Sequence, residues 1–176
     1  DGKTQTAYRI AAESGGKTGW DSGKDASSSI RAVYPEQLVS RQRVVWKVKL
    51  WDEEGKEGEW SEEASFEMGL LSPSDFSAKW IAGDYTVDAS KRYPVDCFLR
   101  RFSAENIVKA RLYSTACGIY EVKLNGQKAG SFCLAPGHTD YKKRIQYQTA
   151  DVTALLNNGE NVLTCELADG WYRGSC

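Results

Sequence analysis

The stretch that most constrains the fold is residues 110–130, A-R-L-Y-S-T-A-C-G-I-Y-E-V-K-L-N-G-Q-K-A-G. Its second half alternates apolar Tyr120, Val122 and Leu124 with charged residues, which is typical of a strand with one buried face. Asn125-Gly126 follows, and both residue types tolerate the positive φ that a two-residue hairpin turn needs. We therefore predict a hairpin here. Because an isolated hairpin is marginal in water, it requires a larger sheet around it.

Further strands are predicted along the whole chain. The clearest is residues 43–50, where Val44, Trp46 and Val48 share one apolar face. No segment requires a helix longer than about two turns, and a Gly- and Pro-containing boundary falls at residues 69–74. The fold class is therefore all-β, with two antiparallel sandwich units in tandem. The other predicted strands are residues 6–12, 64–68, 97–102 and 160–168.

Composition limits the function classes. The 23 basic and 24 acidic side chains give a net charge of -1, which argues against a nucleic-acid partner. No apolar run approaches the ~18 residues of a membrane span, so no membrane partner is expected. The cysteines lack C-x-x-C spacing and have one histidine to help them, so we expect no metal or other cofactor. Free thiols are favoured and one disulfide is left open for Cys97, Cys117, Cys133, Cys165 and Cys176.

The first half has the motif order of a known module. Y-R-I, then W-x-V-x-L-x-D-x-x-G from residue 46, then W-S at residue 60 resemble the second half of a fibronectin type III sandwich. Nothing before Thr6 supplies the first two strands of that module. The sequence therefore predicts a partial module. Its uncovered sheet edge would invite pairing with another chain, so a homo-oligomer formed through strand edges is one partner hypothesis.

The second half carries an ordered series of motifs, which together resemble the N-terminal β-sandwich of bacterial α-L-rhamnosidases, glycoside hydrolase family 78. A fibronectin-like module often precedes this sandwich in the family. A looser kinship is with jelly-roll, galactose-binding-like domains. The motifs are L-R-R-F at 99–102, A-R-L-Y-S-T-A-C-G-I-Y-E at 110–121, L-N-G at 124–126, A-P-G-H-T-D-Y-K-K-R at 135–144, Y-Q-T-A-D-V-T-A-L-L at 147–156, G-E-N-V-L at 159–163 and D-G-W-Y-R-G at 169–174.

The resemblance implies a domain plan and a parent enzyme. Residues 1–70 would be the partial fibronectin type III-like sandwich, residues 71–81 a linker, and residues 82–176 the rhamnosidase sandwich, incomplete at its C-terminus. The family hydrolyses terminal α-L-rhamnosides with inversion, using two carboxyl groups in an (α/α)6 barrel that is absent here. We therefore expect a fragment truncated at both ends and inactive alone, from a periplasmic or secreted bacterial enzyme.

Two segments hold candidate carbohydrate-binding residues. Aromatic rings beside a guanidinium suit sugar recognition, because flat rings stack on the C–H face of a pyranose. The alternatives are packing against another domain of the parent for the second segment and loop-structuring hydrogen bonds for the first. The candidates are His138, Asp140 and Tyr141 in a Pro-Gly loop, and Asp169, Trp171, Tyr172 and Arg173 after the last strand.

No catalytic residue is expected in this chain. Asp140, Asp151 and Asp169 could be imagined as glycosidase acids, but Asp151 is predicted to accept backbone N–H groups at the start of a turn. The partners that the resemblance implies are a rhamnose-containing carbohydrate and the remaining domains of the parent chain. A free-standing carbohydrate-binding module and an adhesion or interaction module are the alternative functions.

Overall fold

The computed structural model describes residues 2–15, 17–88 and 90–173. The chain divides into two compact units between Trp80 and Ile81, called unit 1 and unit 2 here. Regular structure in the described ranges is almost entirely strand, and every strand pairing is antiparallel, so the predicted all-β fold is confirmed. No helix in these ranges is long and apolar enough to cross a bilayer.

Unit 1 is built on one four-stranded sheet in the order β2-β1-β3-β4. Cross-strand partners Trp20, Ala12 and Trp46 share one face of it, and Val44 on the same face is fully buried. Tyr34, from the long connection after β2, packs edge-on against Trp20 at 5.7 Å between ring centroids and against Phe66 at 6.3 Å. That connection thereby covers the apolar face. The strands are β1 Ala7–Ser14, β2 Lys17–Asp21, β3 Arg43–Trp51 and β4 Ala64–Glu67.

The opposite face of this sheet is cationic. Arg9 lies directly across from Lys49 in the register, a like-charge pair that would be destabilising alone. Asp21 binds Arg9 at 2.7 Å and Glu57 binds Lys49 at 2.5 Å. The Trp60 ring also lies beneath the cations of Arg9 at 5.8 Å, Lys49 at 4.9 Å and Lys47 at 5.4 Å. Trp60 and the two carboxylates thus offset the repulsion across β1 and β3.

Unit 2 consists of two facing sheets. A four-stranded sheet has the order β5-β10-β7-β8, and a second sheet pairs β6 with β9. Leu124 on β7 is buried against Ala150 on β9, and Leu112 on β6 packs against the same cluster, so the core lies between the sheets. The strands are β5 Asp96–Ala104, β6 Arg111–Ser114, β7 Ile119–Leu124, β8 Gln127–Lys128, β9 Gln148–Asp151 and β10 Gly159–Ala168, followed by a one-turn helix, α1 Gly170–Arg173.

The predicted hairpin over residues 110–130 is only partly correct. Tyr120, Val122 and Leu124 are buried in alternation as predicted, and Asn125 and Gly126 both adopt positive φ, 52° and 80°. The Asn-Gly turn, however, joins β7 to the two-residue β8, while β6 pairs with β9 in the other sheet. Alternation identifies a buried face but does not identify the neighbouring strand, which here comes from residues 148–151.

Two smaller features complete the description of the fold. Trp20 and Asp21 end β2, and the chain turns afterwards at Gly23 with φ 63°. In the predicted linker, a 3-10 turn at Pro73–Asp75 is tied to unit 1, because Ser40 donates to the Asp75 carboxylate. The four cysteines in the described ranges are free thiols, whereas Cys176 lies outside those ranges.

Candidate functional site

The end of β10 positions one of the two candidate segments. Gly118 lets the chain pass closely there, because a Cβ on Gly118 would lie 2.3 Å from the Ala168 carbonyl oxygen. Gly170, with φ 50°, then turns the chain into α1 against Ile119. This tight packing fixes the position of Trp171 and the residues beside it relative to the end of β10. Gly118 and Gly170 are therefore structural requirements of the site.

The structure brings the two candidate segments together through their rings. His138 meets Trp171 edge-on with ring centroids 5.7 Å apart, and Tyr141 meets Tyr172 in the same way at 5.3 Å. Trp171 remains 38% exposed and Tyr172 50% exposed. We call these four residues the aromatic surface. Its exposed rings can stack on an apolar surface brought from outside the unit.

Arg173 and Asp169 are engaged with their own unit. The Arg173 guanidinium binds the Asp169 carboxylate at 2.6 Å and donates to the Tyr85 hydroxyl at 3.4 Å. The bond to Tyr85, with the nearby Asp169 charge, raises the pKa of Arg173. Tyr85 in turn donates to Asp96 at 2.9 Å and stacks on Tyr93 at 4.9 Å. From the sequence, no role was predicted for either tyrosine. Two aromatic residues in an otherwise polar loop were the feature that could have indicated one.

Asp140 structures its loop. Its carboxylate accepts from the Lys142 amide at 3.1 Å, and its carbonyl accepts from the amides of Lys143 and Arg144 at 2.9 and 2.8 Å. The Lys143 ammonium also lies 3.4 Å from the carboxylate. These contacts hold the bend that carries Tyr141, and no contact places Asp140 among the rings in the described residues.

Tyr141 contributes an apolar contact. Its hydroxyl is buried and has no hydrogen-bond partner within the described ranges. Burial raises the pKa of Tyr141, since the phenolate would be poorly solvated there. The neighbouring Cys117 thiol has its pKa raised for the same reason. Neither group is thus suited to accept or give a proton near neutral pH.

Each aspartate considered for acid–base chemistry is committed to other groups. Asp140 has Lys143 as its cation, Asp169 has Arg173, and Asp151 has Arg111. Asp151 accepts from the Thr153 hydroxyl at 2.7 Å and from the Thr153 amide at 3.0 Å, which confirms its predicted role at the start of a turn. These bonds, with the Arg111 ion pair, lower the pKa of Asp151 to about 2. A group of three or more potential metal ligands is absent from the part of the chain that the structure describes.

Family models match both units. Residues 1–72 match the Rha78A-like, N-terminal immunoglobulin domain, and residues 105–176 match the α-L-rhamnosidase N-terminal domain. The motif series from L-R-R-F to D-G-W-Y-R-G overlaps the second match.

Individual proteins similar to this chain are α-L-rhamnosidases as well. An α-L-rhamnosidase of Formosa agariphila is 41% identical over 165 residues, covering 88% of this chain. Solved α-L-rhamnosidases from Aspergillus terreus and Dictyoglumus thermophilum each superpose on 97% of the chain with a TM-score of 0.87 and 32% identity.

The fold and these matches define the chain as an immunoglobulin-like β domain followed by a second antiparallel β domain. Specifically, it belongs to the N-terminal region of the α-L-rhamnosidase family. The chain spans about a fifth of the proteins it matches, 18% of the Formosa agariphila relative and 20% of the Aspergillus terreus structure.

Proposed function

We propose that the chain is a non-catalytic, architectural part of an α-L-rhamnosidase whose catalytic residues lie outside it. The observation that carries this proposal is coverage: 97% of the chain superposes on only 20% of a solved α-L-rhamnosidase. The fold is thus shared along nearly its whole length, while most of such an enzyme has no counterpart here.

The chemistry of the described carboxylates supports the same proposal. An inverting hydrolase needs a protonated acid and a free carboxylate base on opposite sides of the sugar, about 6.5–9.5 Å apart. Asp140, Asp151 and Asp169 each hold a cation instead, and Asp151, with its pKa lowered to about 2, is a poor general acid. Their present role is to fix loops and strand ends.

The aromatic surface is proposed to pack against a neighbouring domain of the parent chain. Large aromatic side chains concentrate at such interfaces, and Trp171 and Tyr172 lie partly exposed on a helical turn that begins where Gly170 packs closely against Ile119. Direct stacking on a rhamnose-containing sugar is the second candidate role, favoured by the exposed ring faces. Arg173 already binds Asp169 and Tyr85, which favours the packing role.

The function is tested on the longer gene product from which this chain is proposed to come. Time-resolved NMR with an aryl α-L-rhamnoside should show hydrolysis by that product, with the β anomer of rhamnose appearing first, as inversion requires. A longer product that releases no rhamnose would contradict the enzymatic assignment. First release of the α anomer would contradict inversion alone.

The role of the aromatic surface is tested by Trp171→Ala in both products. We expect the melting temperature of the longer product to fall by more than that of the 176-residue chain, in which Trp171 loses its ring contact with His138 but is already 38% exposed. Trp80→Ala, at a residue 66% exposed, is the control and should change neither. Loss of rhamnoside binding without a melting change in the longer product would favour the sugar-contact role instead.

A further inference from the structure

An open cleft of about 490 Å³ lies in unit 2, far from the aromatic surface. It opens where β10 begins, whereas the aromatic surface follows the end of β10, roughly 30 Å away at the rise of an extended strand. Its volume falls in the usual range of about 300–1,000 Å³ for small-molecule sites. Its lining residues are Asn106, Ile107, Val108, Thr153, Leu156 and Asn158.

A buried amide network holds one wall of the cleft. Asn161 is 1% exposed, and its side chain bonds the backbone of residues 157 and 159, with Asn157 N–H at 2.8 Å and both carbonyls at 2.9 Å. Asn125 donates to the Asn161 oxygen and to the Leu155 carbonyl, each at 2.8 Å. The L-N-G and G-E-N-V-L motifs thus meet here and fix the backbone that carries Leu156 and Asn158.

The opposite wall, residues 106–108, is tied to the first by hydrogen bonds. The Ala110 amide donates to the Thr153 hydroxyl at 2.9 Å, and the Val152 amide donates to the Ala110 carbonyl at 3.1 Å. Asn106, at φ 53°, donates its backbone N–H to the Asn158 side-chain oxygen at 3.2 Å. Both walls are therefore pre-organised, which lowers the entropic cost of binding a ligand.

The lining selects a neutral ligand with both hydroxyl and apolar parts. None of the six lining side chains is charged, which disfavours phosphates and carboxylates. Within the described residues, the Asn106 side-chain amide and the Asn158 Nδ2 have no hydrogen-bond partner, and amides both donate to and accept from sugar hydroxyls. Val108 is 92% exposed beside Ile107 and Leu156, offering apolar contact.

We propose that this cleft is an accessory site for a neutral 6-deoxyhexose, with the methyl group against Val108 and Ile107 and ring hydroxyls on Asn106 and Asn158. The choice of L-rhamnose within this class rests on the proposed function. The site would hold a rhamnose unit of a substrate away from the place of hydrolysis.

The test is an NMR titration of the 176-residue chain with L-rhamnose, following backbone amide shifts. Saturable shifts should centre on residues 106–108 and 156–158. L-mannose, which differs by a hydroxyl on C6, should bind about threefold more weakly or worse, since it loses the apolar contact of a methyl group. Shifts centred on Trp171, equal affinity for the two sugars, or no saturable shift would overturn the proposal.

Matched variants locate the site. Asn106→Gly keeps the positive φ and removes the amide, so binding should weaken about three- to tenfold. Val108→Ser should weaken it about threefold. Asn157→Ala and Val87→Ser, outside the lining, should leave the affinity for L-rhamnose unchanged. Equal weakening by the controls would overturn the proposal. If the longer product hydrolyses rhamnosides while the amides lining the cleft show no saturable shifts, this inference fails and the proposed function stands.

Discussion

Replacing Asn161 by alanine should lower the free energy of unfolding of unit 2 by more than the loss of one hydrogen bond would. The side chain takes part in four hydrogen bonds. Two of them involve backbone groups of exposed Asn157, which water can satisfy, whereas the Asn125 amide and the Gly159 carbonyl are half-buried. Leaving a buried polar group unpaired costs about 1–3 kcal/mol, so these two half-buried groups, each toward the lower end of that range, should together cost about 2 kcal/mol or more of the free energy of unfolding.

The assay must separate the two units, because they need not unfold together. Urea unfolding followed by the NMR signals of Val122 and Leu124, both buried in unit 2, reports on that unit alone. Asn157→Ala is the matched control, and its exposed side chain predicts a change within about 0.5 kcal/mol. A loss below about 0.5 kcal/mol for Asn161→Ala would refute the reasoning, since the network would then contribute nothing measurable.

Three further predictions concern stability. Asp151→Asn should destabilise unit 2 at neutral pH. Because the pKa of Asp151 is lowered to about 2, its carboxylate stabilises the fold above about pH 4 and loses this effect as it protonates toward pH 2, so the difference in unfolding free energy from the parent chain should vanish over that range. A difference independent of pH would contradict this. Gly118→Ala should lower the free energy of unfolding by about 2 kcal/mol or more, because the Ala168 carbonyl cannot yield, and urea unfolding should show a larger loss than for Gly126→Ala in open space. Trp60→Ala should cost unit 1 about 1–2 kcal/mol in urea unfolding, and an unchanged midpoint would show that the three cations over its ring are not stabilising.

Strand positions in this chain were predictable because they depend on local patterns. The alternation in β3 and β7 follows directly from burying one face of a sheet, and the positive φ of Asn125 follows from turn geometry. Strand pairing was not predictable in the same way. The pairing of β6 with β9 depends on which apolar faces pack across the core, and no short window of sequence records that choice.

The candidate site shows the same division between local and distant information. Ring chemistry and chain position singled out Trp171 and Tyr172, but their contacts with His138 and Tyr141 depend on a tertiary approach of two segments. The buried role of Asn161 was also invisible, because asparagine is mostly exposed in proteins and a predicted strand over residues 160–168 does not identify the hydrogen-bond partners of its side chains. Only the register of β10 places its amide under the loop.

The most direct test of the central claim is a hydrolysis assay on the purified 176-residue chain with an aryl α-L-rhamnoside. We predict no release of the phenol above the rate in buffer, at any protein concentration, because Asp140, Asp151 and Asp169 are held in ion pairs. Saturable release that scales with the amount of folded chain would contradict it.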